Sequence, residues 1–226
     1  MSRVQSLEEA RAILGDDVLG PQEVTAAFQG VTKTDVPLHF TSDQLHAARR
    51  ANEMLLLRVA HLSDNTALTL IELVHRFPDA FDQRLLRQAG YQLKDDWGIE
   101  LEPLAATDTC AVGWALVRKQ ILDDSRNLAY EEQDAVLRRY AETLGIAASV
   151  LRRRTAVEAV YDTLLYFATR GGRLLEDTWD WSSSRTIDGG YLNVGGFGGN
   201  GMQILSYSTA VRHGGLGVCP TRQHCE

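Results

Sequence analysis

The polar and apolar residues alternate with helical spacing over most of the chain and give way to short strand-like runs near the end. The cleanest period lies in residues 155–169. There Val157, Val160, Tyr161, Leu164, Leu165 and Ala168 form one stripe, with Thr155 placed to cap the start and Gly171-Gly172 to end it. Residues 128–144 form a second helix, with Gln133, Val136, Leu137, Tyr140 and Leu144 on one face and Gly145 as its stop. Shorter helices are expected at 7–14 behind a Ser6/Glu9 capping box, at 22–28 after Pro21, from Thr41 or Ser42 to about Asn52 with Leu45 and Ala48 inward, at 66–77 before Pro78, and at 82–88. Residues 32–40 read as a loop or extended segment around Pro37. Strands are expected at 54–60, where the three leucines would also suit a continuing helix, and at 111–117, then in the tail at 179–183, 191–194, 202–207 and 216–222. Ten of the 19 glycines fall between Gly189 and Gly217, so the tail reads as strands and tight turns. The expectation is an α+β protein. Residues 1–110 would be a mainly helical part and 111–226 a mixed domain, with one continuous domain as the alternative.

Composition adds little to this picture and charge somewhat more. A chain of 226 residues, 44% hydrophobic and 23% charged, can bury a core without disulfide staples. The net charge of −7 is carried before Trp179, because three basic and three acidic residues balance from there on. That sign disfavours nucleic acid or an anionic membrane as partner. The longest apolar run, residues 54–57, is far below the roughly 18 residues of a membrane span, and the first residues lack a signal core. Three cysteines are too few for a disulfide framework, so a reducing cytoplasm is the expected setting.

The tail also carries a resemblance. Trp181-Ser182-Ser183-Ser184, then Tyr191-Leu192-Asn193-Val194, then residues 215–222 (Gly-Leu-Gly-Val-Cys-Pro-Thr-Arg) resemble the closing strands of the formylglycine-generating-enzyme-like branch of the C-type-lectin-like fold. The likeness covers about 45 residues, a fifth of the chain. It implies a C-terminal domain of short antiparallel strands whose loops do the binding. It does not carry over the chemistry of the family's enzymes. The copper-dependent oxidase branch uses two closely spaced cysteines upstream of the final strand, whereas Cys219 lies within that strand and Cys225 after it. The His-x-x-His-Glu cluster of the iron-dependent sulfoxide synthases has no counterpart here. What the resemblance leaves is recognition of a protein or small ligand, with Trp181, Tyr191, Asn193, Asn200 and Tyr207 as candidate ligand-binding residues and no cofactor. A metal-assisted enzyme and an assembly subunit of a phage-like particle are the alternatives.

Other candidate chemistry reads more simply. Residues 196–201 (Gly-Phe-Gly-Gly-Asn-Gly) match a dinucleotide-binding motif in letters, but a strand is expected after them where the mechanism needs a helix N-terminus. His213, Cys219, His224 and Cys225 lack zinc-ligand spacing, so no metal site is expected and Cys219 reads as buried. Asp16-Asp17, Asp95-Asp96 and Asp123-Asp124 lack a supporting nucleophile, and Ser182–Ser184 lacks the glycine-flanked elbow of a hydrolase. Arg152-Arg153-Arg154 stands before a helix start, where positive charge is unfavourable. It reads as a solvated turn, or as the contact for an acidic partner or a neighbouring carboxylate. Trp179 and Trp181 share one strand face and read as core packing or, alternatively, as a stacking platform.

Overall fold

The computed structural model describes residue 4 and residues 6–29, 36–87, 90–94 and 97–223. The chain is α+β. Its helices among these residues are α1 (Leu7–Leu14), α2 (Pro21–Phe28), α3 (Ser42–Arg50), α4 (Leu70–Arg76), α5 (Pro103–Thr107), α6 (Gln133–Leu144) and α7 (Ala156–Arg170). Its strands are β1 (Val18–Leu19), β2 (Glu53–Arg58), β3 (Leu86–Arg87), β4 (Gly90–Lys94), β5 (Trp97–Gly98), β6 (Gly113–Arg118), β7 (Leu151–Arg153), β8 (Trp179–Arg185), β9 (Tyr191–Gly198), β10 (Gly201–Tyr207), β11 (Leu216–Gly217) and β12 (Pro220–Gln223).

Two sheets position everything else. The larger has the order β1-β2-β6-β12-β7, and so draws strands from both sides of residue 110. The smaller has the order β10-β9-β8-β11. A third, three-stranded ribbon is β3-β4-β5. The last expected strand, 216–222, divides between sheets: β11 pairs parallel to β8, and β12 then enters the large sheet between β6 and β7. Pro220 is the first residue of β12, a strand position that tolerates its missing N–H.

Helix α7 lies between the two sheets. Thr155 caps it by accepting the Glu158 N–H at 3.3 Å, the Glu158 carboxylate accepts the Thr155 N–H at 3.0 Å, and Gly171 leaves it at φ 70°. The sequence pattern predicts one buried stripe. Instead every residue from Ala156 to Leu165 is buried and Ala168 is exposed, because the helix is covered on several sides. Replacing Thr155 with Ala removes one arm of the capping box. The expected cost is about 1 kcal/mol of stability, measured by urea unfolding.

Several other expectations change. Residues 82–88 do not form a helix where described. Phe81 bridges Met202, Asp82 donates its N–H to Met202 O at 3.0 Å, and the Asp82 carboxylate holds Arg84 and Gln203, which fixes a turn into β3. Helix α4 starts at Leu70 rather than 66, because Leu68 N–H pairs with Ala60 O and Thr69 supplies the cap. Helix α6 starts at Gln133, with residues 128–132 in turns. Leu45 and Ala48 face inward and Arg49 and Arg50 outward, as their spacing predicts. The expectations for Gly30, residues 32–35, Gln88, Asp95-Asp96, His224 and Cys225 lie outside the described residues.

Candidate functional site

Strand β8 has two faces with different chemistry. Toward α7 it presents Asp180. On the other face, Trp179 and Trp181 alternate with it. Cross-strand register adds to that outer face, because Trp181 pairs with Asn193, Asn193 with Leu205, Tyr191 with Tyr207, and Trp179 with Gly195. Tyr130, from the turn before α6, packs on the same side. Its ring stacks on Tyr191 with centroids 4.1 Å apart and meets Trp181 edge-on at 5.3 Å. Trp181 is fully buried, while Trp179, Tyr191, Tyr207 and Val211 are only partly covered around it.

Four of the five residues singled out from the sequence, Trp181, Tyr191, Asn193 and Tyr207, therefore meet on one surface. Asn200 does not join them. It sits exposed in the β9–β10 turn at the opposite end of the hairpin from the Tyr191–Tyr207 pair. Tyr130, which no spacing in the sequence connects to the tail, completes the group. A signal for it was the aromatic placed just before a helix whose neighbours carry the apolar stripe, but long-range packing is not readable from such local patterns.

The polar groups on this face are poorly served by the protein itself. Both amide atoms of buried Asn193 and the indole N–H groups of Trp179 and Trp181 have no hydrogen-bond partner among the described residues. Tyr130 is different: its hydroxyl donates to Ser182 O at 3.1 Å, and burial raises it to about 12, so it stays protonated. Each orphaned buried group costs on the order of 1–3 kcal/mol, and native interiors hold few of them.

The inner side of β8 is held by charge. Asp180 accepts Arg154 Nε at 2.8 Å and the Cys219 N–H at 2.7 Å. Arg154 also reaches Asp162 at 3.2 Å, and Asp162 takes the Arg58 guanidinium in two bonds of 2.9 and 2.6 Å. Arg58 Nη1 lies 2.9 Å from Glu158, which is itself bound by Arg152 through two bonds of 2.6 Å. Three guanidinium groups thus balance three carboxylates. The run Arg152-Arg153-Arg154 is therefore not a solvated turn: Arg153 and Arg154 are buried and Arg152 is half-buried, all against neighbouring groups. Arg153 binds Gln133, Asp134 and the Tyr130 and Trp181 carbonyls, and lies 4.0 Å from the centre of the Tyr130 ring.

Burial alone would raise the Glu158 carboxyl, but the Arg58 charge and then Arg152 more than offset it and hold it at about 2. The sign follows from a folded-state value below the ordinary 4.5. The stabilisation is present above pH ~4.5 and is lost as pH falls toward ~2. A urea-unfolding series over that interval is expected to show this loss, and Glu158→Gln is expected to flatten it. Burial outweighs the Arg154 charge at Asp180 and moves its carboxyl upward. Burial also pushes the thiols of Cys110 and Cys219 up, so neither is a thiolate at neutral pH.

Several glycines of the tail serve close packing. A Cβ on Gly196 would fall 2.6 Å from the Trp179 ring, and one on Gly217 would fall 2.5 Å from Ser125 Oγ. Residues 196–201 run from β9 through a turn into β10, so no helix N-terminus follows the dinucleotide-like letters. His213 is exposed, its Nδ1 accepting the Gly215 N–H, and among the described residues no three His, Cys, Asp or Glu side chains converge. Asp17 pairs with Lys119 and Asp123 with Arg126. No helix among the described residues is long and apolar enough to cross a membrane.

A cavity of about 650 Å³ lies elsewhere, between residues 119–126 and 173–178. No protein-family model, curated protein or solved structure matches the chain.

Proposed function

We propose that this is a recognition protein without catalytic activity, and that it binds a protein or neutral ligand on the outer face of its C-terminal sheet. The observation that carries the reading is the pairing of half-exposed aromatic rings (Trp179, Tyr191, Tyr207) with the orphaned amide of Asn193 and indole N–H of Trp181 beneath them. Aromatic side chains that are apolar in body and polar at the tip dominate binding surfaces. The Tyr191 and Tyr207 side chains make no hydrogen bond among the described residues, which leaves both hydroxyls to a ligand. The Arg153 guanidinium beside them is already taken up by Gln133, Asp134 and two carbonyls, so the face offers neutral donors and acceptors rather than charge.

This reading moves recognition from the glycine-rich turns, expected from the resemblance to the C-type-lectin-like fold, to the sheet that those turns connect. The buried, protonated thiols and the fully paired core carboxylates favour it over the catalytic alternative. The test screens the full chain against a displayed heptapeptide library and a glycan array. Ligands retained by the wild type are expected to weaken at least tenfold on Tyr191→Ala/Tyr207→Ala, with circular dichroism unchanged. Failure to retain any ligand, or retention insensitive to the double variant, would overturn the proposal.

A further inference from the structure

A second site follows from the 650 Å³ cavity, whose walls have unequal charge. One wall carries Lys119 and Arg126. The other carries Arg173, Glu176 and Asp177, and Leu174 and Leu175 supply apolar surface beside them. The cations are partly occupied. Lys119 Nζ lies 2.9 and 2.8 Å from the two Asp17 oxygens. Arg173 donates to Gly198 O, and its guanidinium lies 5.3 Å from the Phe197 ring centre. Arg126 is held more weakly than Lys119. It binds Gly214 O at 2.9 Å and, at 3.2 Å, an Asp123 whose side chain is 84% exposed, a pairing that water weakens.

Glu176 and Asp177 are both exposed and make no hydrogen bond or ion pair among the described residues, while cations line the same cavity. The wall is also strained. Leu175 sits at φ 56°, a region a branched, bulky side chain rarely enters, and it is held there while its carbonyl accepts the Phe197 N–H at 3.1 Å. Strain of this kind persists where surrounding structure imposes it and is concentrated at ligand clamps.

We infer that this cavity binds a small zwitterion of the amino-acid or dipeptide class. Its carboxylate would engage Arg126, its ammonium Glu176 and Asp177, and its apolar side chain Leu174 and Leu175. A volume of this order suits a ligand of that size. A purely anionic ligand would meet two unpaired carboxylates, and a purely cationic one would meet three cations. Only a molecule with both charges satisfies both walls. This site is independent of the aromatic face.

The probe is leucyl-glycine, compared with its N-acetyl and C-amide forms by NMR titration of the full chain. Saturable binding of the dipeptide is expected on the order of millimolar or tighter. Each blocked form is expected to bind about tenfold more weakly, because a charge-assisted contact is lost. In Glu176→Gln/Asp177→Asn the difference between the dipeptide and its acetylated form is expected to vanish. In Arg126→Gln the difference between the dipeptide and its amide is expected to vanish. No saturation by tens of millimolar, equal binding of all three probes, or discrimination unchanged in both variants would each overturn the inference. Tyr191→Ala/Tyr207→Ala is expected to leave the titration unaltered, which separates this site from the aromatic one.

Discussion

Asp162→Asn is expected to cost about 3–5 kcal/mol, the largest loss from any single polar substitution in the chain. Asp162 is wholly buried on α7, and its carboxylate is shared by two arginines, Arg58 with two bonds and Arg154 with one. Asparagine keeps the shape but removes the charge. It leaves two buried guanidinium groups dependent on Glu158 and Asp180, and it turns an NH₂ toward one of them. Desolvated cations cannot regain water there, so the penalty is that of an uncompensated buried charge. Against a total stability on the order of 5–15 kcal/mol, this loss is expected to lower Tm by roughly 10 °C or more. Asp134→Asn is the control. It removes a carboxylate from Arg153, but that carboxylate's side chain is 49% exposed, and the cost is expected to stay below about 1 kcal/mol. Calorimetry and urea unfolding on both variants decide the matter. If Asp162→Asn falls within 1 kcal/mol of wild type, the charges of the network do not hold the two sheets to α7.

This network explains which parts of the fold were legible in the sequence. Helix α7 was readable because Thr155 and Gly171 are local signals and its apolar stripe is regular. Its depth of burial was not, although Glu158 and Asp162 stand four residues apart on one face and three arginines precede them. Charges that close together are usually solvated, and only the opposing sheets make them a core. Asp180 and Cys219 could not be connected to this cluster either, because the link is one backbone N–H donating across 39 residues. The β9–β10 hairpin was legible for the same reason as α7, its turn glycines and alternating strands being adjacent in sequence. The division of residues 216–223 between two sheets was not, since it depends on which edge lies near after folding. The candidate site follows the same division. Period-two alternation placed Trp179 and Trp181 on one face, and register added Tyr191, Asn193 and Tyr207. Tyr130, however, arrives from a turn some fifty residues earlier.

The two sides of β8 are also linked in consequence. The same strand offers Asp180 to Arg154 on one side and Trp181 to Tyr130 on the other, and the Ser183 N–H pairs with Arg154 O at 2.8 Å. A strand fixed from behind in this way keeps the aromatic face in one arrangement before any ligand arrives, and preorganisation lowers the entropic cost of binding.

The glycine-rich hairpin permits a sharper test, because its glycines are not equivalent. Gly201 has φ 100°, which other residues rarely adopt, and a Cβ there would lie 2.4 Å from both the carbonyl carbon and oxygen of Phe81 and 2.7 Å from the Asp82 nitrogen. All three are backbone atoms and cannot rotate aside. The clash falls where the tail meets the Phe81–Asp82 segment, which pairs with Met202 and leads into the β3-β4-β5 ribbon. Gly201→Ala therefore has two costs, the backbone conformation and the separation of two packed segments. Together they are expected to remove roughly 3–4 kcal/mol. Gly199, two residues earlier in the same turn, has nothing within 4 Å of its Cβ position and no positive φ, so Gly199→Ala is expected to be neutral within about 0.5 kcal/mol. Unfolding of the two variants side by side distinguishes the explanations for this composition. Equal, small effects would mean that the glycines supply flexibility to an open loop. A large effect at Gly201 alone would mean that they supply close contact between backbones, with the turn at residues 199–200 as the part left free to vary.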